Sequence, residues 1–399
     1  MKIRLYLVIF IAIISLSCNA KKDSGSGEQG SGSAETPEIS AMSVVETPAM
    51  PVVVDTAQDA VNAGQTDWPA HFTERKTEYQ EALKNWSRAS RIPFNEYCIK
   101  NIVYGNGRFV ATGNFRTNLA YSDDGDTWYA VRPNVFGDKD SAECIVYGNG
   151  RFVAAAYGDK IAYSDDGETW TLVEDSHLGD NFIYGIAYGN GCFVAVGFNR
   201  SQRNGAIGYS NDGEIWTLVE DGSLGVWCFY CITYGNGQFI AGGYGGKAAY
   251  SSDGETWTAM PGSPFGNMAV LRIAYGNGRF VASCKDLLTF VPLVAYSDDG
   301  INWTPVSKPL FYRYPIYNIV YANGIFIVVS HNARMIYSPN GETWYPGPDN
   351  DAFIIRPLEG TGDDLGGIAY GNGRFVIGCG NSVSNTSRIA WCEFPAVVY

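Results

Sequence analysis

From about residue 99 onward, short apolar runs alternate with two recurring polar turns. The first turn is Asn-Gly, as in IVYGNGRFVA; the second is Ser-Asp-Asp-Gly or a relative, as in IAYSDDGETWTLV. Asn-Gly between apolar runs predicts a tight hairpin, because a type I′ turn needs positive φ at both central residues. In the second turn, Ser and Asp side chains can bond nearby backbone N–H groups while Gly takes positive φ. Each unit therefore predicts four short antiparallel strands, a to d, with Asn-Gly joining a to b and the Ser/Asp turn joining c to d.

The unit recurs. YGNG-like segments begin at Tyr104, Tyr147, Tyr188, Tyr234, Tyr275, Tyr321 and Tyr370. A four-stranded repeat of 41 to 49 residues matches a β-propeller blade, and one such sheet must stack on its neighbours to bury both faces. The seventh unit stops without its DG…W, whereas Trp86 stands alone upstream. Trp86 lies 18 residues before Tyr104, the same distance that separates Trp170, Trp216, Trp257 and Trp303 from the next repeat Tyr. The N-terminal stretch around Trp86 is thus expected as strand d of the blade that Tyr370 begins. The expectation is an all-β, seven-bladed propeller of four-stranded antiparallel blades, closed without free edges.

The segments SDDGDTW, SDDGETW, SNDGEIW, SSDGETW, SDDGINW and SPNGETW resemble Asp-box (BNR) repeats, with one residue fewer between Ser and Gly than that family's consensus. The resemblance implies structural roles for Ser122, Asp124, Gly125, Trp128, Ser164, Asp166, Gly167, Trp170, Asp212, Trp216, Asp253, Trp257, Asp299, Trp303 and Trp344. It covers about 300 residues and speaks for a fold rather than an activity. Sialidases carry this repeat together with an early Arg-Ile-Pro. The same letters here, Arg91-Ile92-Pro93, would make Arg91 a carboxylate ligand. Sialidases have six blades, however, and no residues match their remaining Arg, Asp, Tyr and Glu set.

The N-terminus reads differently. Lys2 and Arg4 precede an apolar run from Leu5 to Ile14, the size of a secretory signal and too short to span a bilayer. Ser15 to Cys18 reads SLSC, which resembles the lipobox of bacterial lipoproteins and implies lipidation of Cys18. The expected organisation is signal peptide 1–17, disordered Gly/Ser/Pro-rich tether 18–65, pre-propeller segment 66–84 with a short helix, and propeller 85–399. The expected location is lipid-anchored on a bacterial membrane, outer membrane or cell surface rather than inner. A formal charge of −13 argues against nucleic acid, whose phosphates demand Lys and Arg. Beyond Cys18, cysteines fall at equivalent repeat positions: Cys144 and Cys231 three before the repeat Tyr, Cys98 and Cys228 six before, Cys284 and Cys379 nine after. That placement suits small buried residues better than a disulfide framework.

In such a ring the repeated turns share one face, and the variable b–c and d–a connections share the other, where recognition is expected. Candidate ligand-binding residues are Arg91, Trp227, Phe311, Tyr312, Arg313 and Tyr314, the last four within the aromatic-basic stretch FYRYPIY. The insertion 346–367 could cover the mouth as a lid. His177 and His331 have no placed carboxylate beside them, so no metal and no cofactor is expected. The expected role is non-catalytic binding of a glycan or an envelope protein by a monomer. A sialidase-like glycoside hydrolase and an assembly scaffold are the alternatives.

Overall fold

A computed structural model describes residues 76–94, 99–306, 316–330, 334–345, 353–354, 365–381 and 386–394, apart from 115, 180, 220–223, 263 and 290. The signal segment, Cys18, the tether and Phe311 to Tyr314 lie outside these residues, as does most of 346–367. The described strands form seven four-stranded antiparallel sheets. Their first strands are Ile99–Gly105, Ala142–Gly148, Asn181–Gly189, Phe229–Gly235, Ala269–Gly276, Ile316–Ala322 and Leu365–Gly371, which define blades 1 to 7. Each of these strands neighbours the first strand of the next blade, and that of blade 7 neighbours that of blade 1, so they line a central channel.

The turns form as their chemistry dictates. Asn106, Asn149, Asn190, Asn236, Asn277, Asn323 and Asn372 all sit at φ near +50°, each followed by a Gly at positive φ. In blade 1, Gly125 N–H donates to Ser122 Oγ at 2.8 Å, and Asp124 Oδ1 accepts the N–H groups of Asp126 and Thr127 at 2.8 Å. Trp128 Nε1 donates to the Gly125 carbonyl at 3.0 Å, which fixes the indole under the turn. Blades 2 to 6 repeat this pattern, with Asn340 replacing Asp in blade 6.

Apolar packing lies at the seams. Seven apolar clusters occupy the seven seams, and each contains a Trp from strand d or the turn before it: Trp128, Trp170, Trp216, Trp257, Trp303, Trp344 and Trp86, with Trp391 joining the cluster of Trp128. Trp86 therefore does at the seam of blades 6 and 7 what the turn tryptophans do elsewhere. Its Nε1 donates to the Leu83 carbonyl at 2.9 Å, three residues back, just as Trp128 uses Gly125. A short helix over 76–82 stands in for the missing turn. Tyr79 and Leu83 are fully buried in that seam, with Tyr79 stacked on Phe394 at 5.0 Å. Ser87–Arg88 then adds the fourth strand to blade 7, Ser87 opposite Trp391 and Arg88 opposite Ala390. Within the described residues, Tyr79, Ala82 and Leu83 thus pack into the seam between blades 6 and 7.

Candidate functional site

The two faces differ in what their side chains have left to offer. On the turn face, polar groups are spent on holding blades together. Arg151, directly after an Asn-Gly turn, pairs with Asp165 of its own blade, donates to the Asp212 carbonyl of the next at 2.9 Å and pairs with Glu214 there. Arg108, Arg279 and Arg374 make the same cross-seam bond to the carbonyls of Asp166, Asn340 and Asp124, and Gln238 reaches Asp299. These arginines also lie over a ring of their own blade, Arg151 at 4.4 Å from the centroid of Tyr163. An open cleft of about 530 Å³ beside Arg374 is lined by Asp124, Glu393, Asn372, Gly373 and Phe394, and its charges are engaged with one another.

Rings gather toward the opposite face, where Tyr157, Phe182 and Tyr184 are half-buried and Tyr230 and Phe198 are buried behind them. Tyr157 and Phe182 meet edge to face at 5.1 Å, Phe182 and Tyr184 lie 6.3 Å apart, and Tyr184 and Tyr230 a further 6.3 Å. This track runs from the b–c connection of blade 2 to the inner strands of blades 3 and 4. A second group, Phe198, Trp227 and Tyr244, has centroid spacings of 4.9 and 5.3 Å. The Arg200 guanidinium sits 5.0 Å above Phe182. Tyr244 and Trp227 keep solvent contact, and Leu288 on the b–c connection of blade 5 is 83% exposed.

The inner strands deliver the rest. Near its variable-face end, each shows a register irregularity, which in blades 1 to 5 leaves Lys100, Glu143, Tyr184, Tyr230 and Leu271 as the extra residues. A bulge bends the strand and re-aims its side chains. Lys100 and Glu143, on adjacent blades, form an ion pair at 3.6 Å. Arg272 follows the blade 5 bulge and donates from a terminal nitrogen to the Leu271 carbonyl at 2.7 Å. Burial lowers its pKa, while Cys231, Cys144 and Glu143 act against that. Burial likewise raises the phenols of Tyr184 and Tyr230, which stay protonated as hydrogen-bond donors.

Sequence-predicted residues fare unevenly. Trp227 is in the outer aromatic group. Arg91 is elsewhere: its N–H donates to the Asp126 carbonyl, its carbonyl accepts from Trp128, and its guanidinium lies 5.2 Å from the Tyr129 ring. That places it against the Ser/Asp turn of blade 1, with its backbone fastening the N-terminal strand, and away from the aromatic track. His177 Nδ1 contacts the Asp175 carbonyl at 3.0 Å, an interaction within its own exposed loop. Sequence reasoning missed Arg272, Glu143 and Lys100. A signal existed, because Arg272 fills the column that holds Cys144 and Cys231 in other repeats, three before the repeat Tyr. The seven described cysteines are all buried with free thiols.

No family model matches the chain, and no curated protein matches it. Solved structures do. YCF48 bound to D1 peptide aligns with a TM-score of 0.57 at 14% identity, covering 78% of this chain and 97% of that one. YCF48 from Cyanidioschyzon merolae gives 0.55 at 15%, covering 78% and 98%. A catalytically inactive virginiamycin B lyase from Staphylococcus aureus with quinupristin gives 0.60 at 11%, covering 78% and 99%. At these identities the likeness is one of fold.

Proposed function

We propose that the chain is a non-catalytic binding protein whose variable face takes a segment of another protein, and that it acts as a monomer held at a bacterial envelope by lipid on Cys18. The observation that carries the reading is the track Tyr157, Phe182, Tyr184 and Tyr230, which leads from the rim to the channel. Aromatic rings are the commonest anchors of protein interfaces, and their rigidity limits the entropy lost on binding. The turn face, by contrast, has its charges committed across the seams. A structural neighbour of the same fold holds a peptide. The envelope address rests on the apolar run before SLSC and the polar stretch after Cys18.

Panning a phage-displayed random peptide library against the full chain tests this. Enriched peptides should lose about tenfold in affinity, roughly 1.4 kcal/mol, on Tyr184→Ala or Trp227→Ala. They should keep their affinity on Arg151→Ala, which lies on the other face. No enrichment, combined with a glycan-array hit weakened by the same two substitutions, would make a sugar the ligand. Turnover of that sugar would make the chain a hydrolase.

A further inference from the structure

The seam of blades 7 and 1 breaks the repeat in two places. On the third strands, Val376 faces Trp391 where Val110 faces Tyr121 and Val153 faces Tyr163. Just after the turn glycine, blades 2, 3, 4 and 6 carry Glu168, Glu214, Glu255 and Glu342, and blade 5 carries Ile301, but blade 1 carries Asp126. Three of those glutamates reach back across the seam to the arginine after Asn-Gly: Glu168 to Arg108, Glu214 to Arg151 and Glu342 to Arg279. Between blades 7 and 1, a larger ring and a shorter acid change the partners. Asp126 Oδ1 accepts the Trp391 indole N–H at 2.8 Å. Arg374 lies over that indole, 4.1 Å from its ring centroid, and pairs with Glu393 of its own blade.

The same oxygen accepts a second hydrogen bond, from the Ser90 N–H at 3.0 Å. Ser90 follows the strand Ser87–Arg88, in which Ser87 lies opposite Trp391. That strand has no turn joining it to blade 7; its ladder is two residues long, extended by the Ala89 N–H on the Ile389 carbonyl at 2.9 Å. Hydrogen bonds to a charged acceptor are about twice as strong as neutral ones, so the Asp126 tie is a large part of this strand's attachment. We propose that Asp126 is a release latch built into the ring: the N-terminal strand and Trp391 let go of blade 1 together, and their release opens the seam of blades 7 and 1. Each donor fixes the carboxylate in the orientation that the other needs, so loss of one weakens the other. The cleft of about 530 Å³ lies on this seam, with Asp124 on one side and Arg374 and Glu393 on the other, and widens when the latch lets go.

Hydrogen exchange of the full chain, followed by NMR at the Ser90 amide and the Trp391 indole, tests the latch. Corrected for intrinsic rates, the two protons of the unaltered chain should show protection factors equal to within about threefold, as members of one opening unit do. Asp126→Ala should speed exchange at both by about tenfold and leave the strand Arg151–Ala156 of blade 2 unchanged. Trp391→Phe removes the indole N–H and keeps a ring. It should speed exchange at Ser90 as well, because coupling between two sites is reciprocal. Asp126→Asn keeps an acceptor oxygen and should retain part of the protection. Protection factors more than about tenfold apart in the unaltered chain would overturn the coupling. So would a Trp391→Phe chain in which Ser90 exchanges as before, or Asp126→Ala acting on Ser90 alone, which would make Asp126 a local cap. The comparison in the unaltered chain decides the matter even where Asp126→Ala misfolds.

Discussion

The ring of Tyr104 lies flat against the α-carbon of Gly371, so that blade 1 rests on blade 7 with no side chain between them. The same pairing recurs as Tyr147 on Gly105, Tyr188 on Gly148, Tyr234 on Gly189, Tyr275 on Gly235 and Tyr321 on Gly276. A methyl at any of these glycines would overlap the neighbouring ring. Close approach, rather than backbone conformation, is what the Gly of Tyr-Gly-Asn-Gly supplies. The glycine after Asn has the opposite reason: Gly150 sits at φ +76° in open space.

Gly148→Ala should therefore destabilise the propeller by about 1–3 kcal/mol through overpacking. Gly150→Ala should cost about 1 kcal/mol through left-handed strain alone. Urea titrations of the two variants separate these causes. Adding Tyr188→Ala to Gly148→Ala should relieve the clash, so the double variant should be more stable than the two single losses summed.

Arg151→Ala removes a cross-seam tie with three acceptors on two blades. The expected loss is about 1–2 kcal/mol, most of it from the hydrogen bond to the Asp212 carbonyl rather than the exposed ion pairs. Arg151→Lys should recover less than half, because an ammonium cannot span the same acceptors. Thermal melts at low and high salt would show it, with the carbonyl contribution unaffected by salt.

Five turn carboxylates, Asp124, Asp166, Asp212, Asp253 and Asp299, are held below their ordinary range. At Asp299 partial burial pushes the carboxyl up, but hydrogen bonds from Asn302, Ile301 and Ser297 outweigh it and bring it down to about 2. A carboxyl depressed in the folded state stabilises above its unfolded pKa and loses that contribution as pH falls through the folded value. The melting temperature should thus be insensitive to Asp299 above about pH 5 and fall between about pH 4 and 2. Asp299→Asn should flatten this limb while keeping the turn, since Asn340 already accepts the Glu342 and Thr343 N–H groups in blade 6.

Burial raises the thiols of Cys192 and Cys231 to about 11 and about 12, and those of Cys144, Cys228 and Cys392 further. Since the thiolate is the reactive form, the seven described cysteines should resist alkylation by iodoacetamide at pH 8 in the folded chain. All seven should react in guanidinium. Mass spectrometry of the modified peptides counts them; rapid labelling of Cys231 in the native protein would contradict the buried position.

Local chemistry explains why so much of the fold was legible. Asn-Gly specifies a type I′ turn wherever it stands, and the Ser/Asp turn contains its own hydrogen-bond partners. Trp86 was placed by spacing, because strand d must begin a fixed distance before the next inner strand. The helix over 76–82 was only dimly visible, since about two amphipathic turns carry little periodic signal. The channel residues were hidden for a different reason. A bulge shifts the alternation of a strand by one residue, so Arg272 looks like one more strand position until the register is known. For Arg91, three letters describe a motif without its surroundings. Its backbone, pairing with Asp126 and Trp128, decided its position.

The pairing of Ser87–Arg88 with Trp391 and Ala390 also sets an order of events. The strand that emerges first from the ribosome finds its partner only after every other blade has been made. Until then blades 1 to 6 can accumulate as an open arc with one unpaired end, and the last step of folding joins the first-made residues to the last. A chain interrupted within blade 7 would be left as that arc, with the blade 6 side of the seam that takes Tyr79, Leu83 and Trp86 lacking its other half.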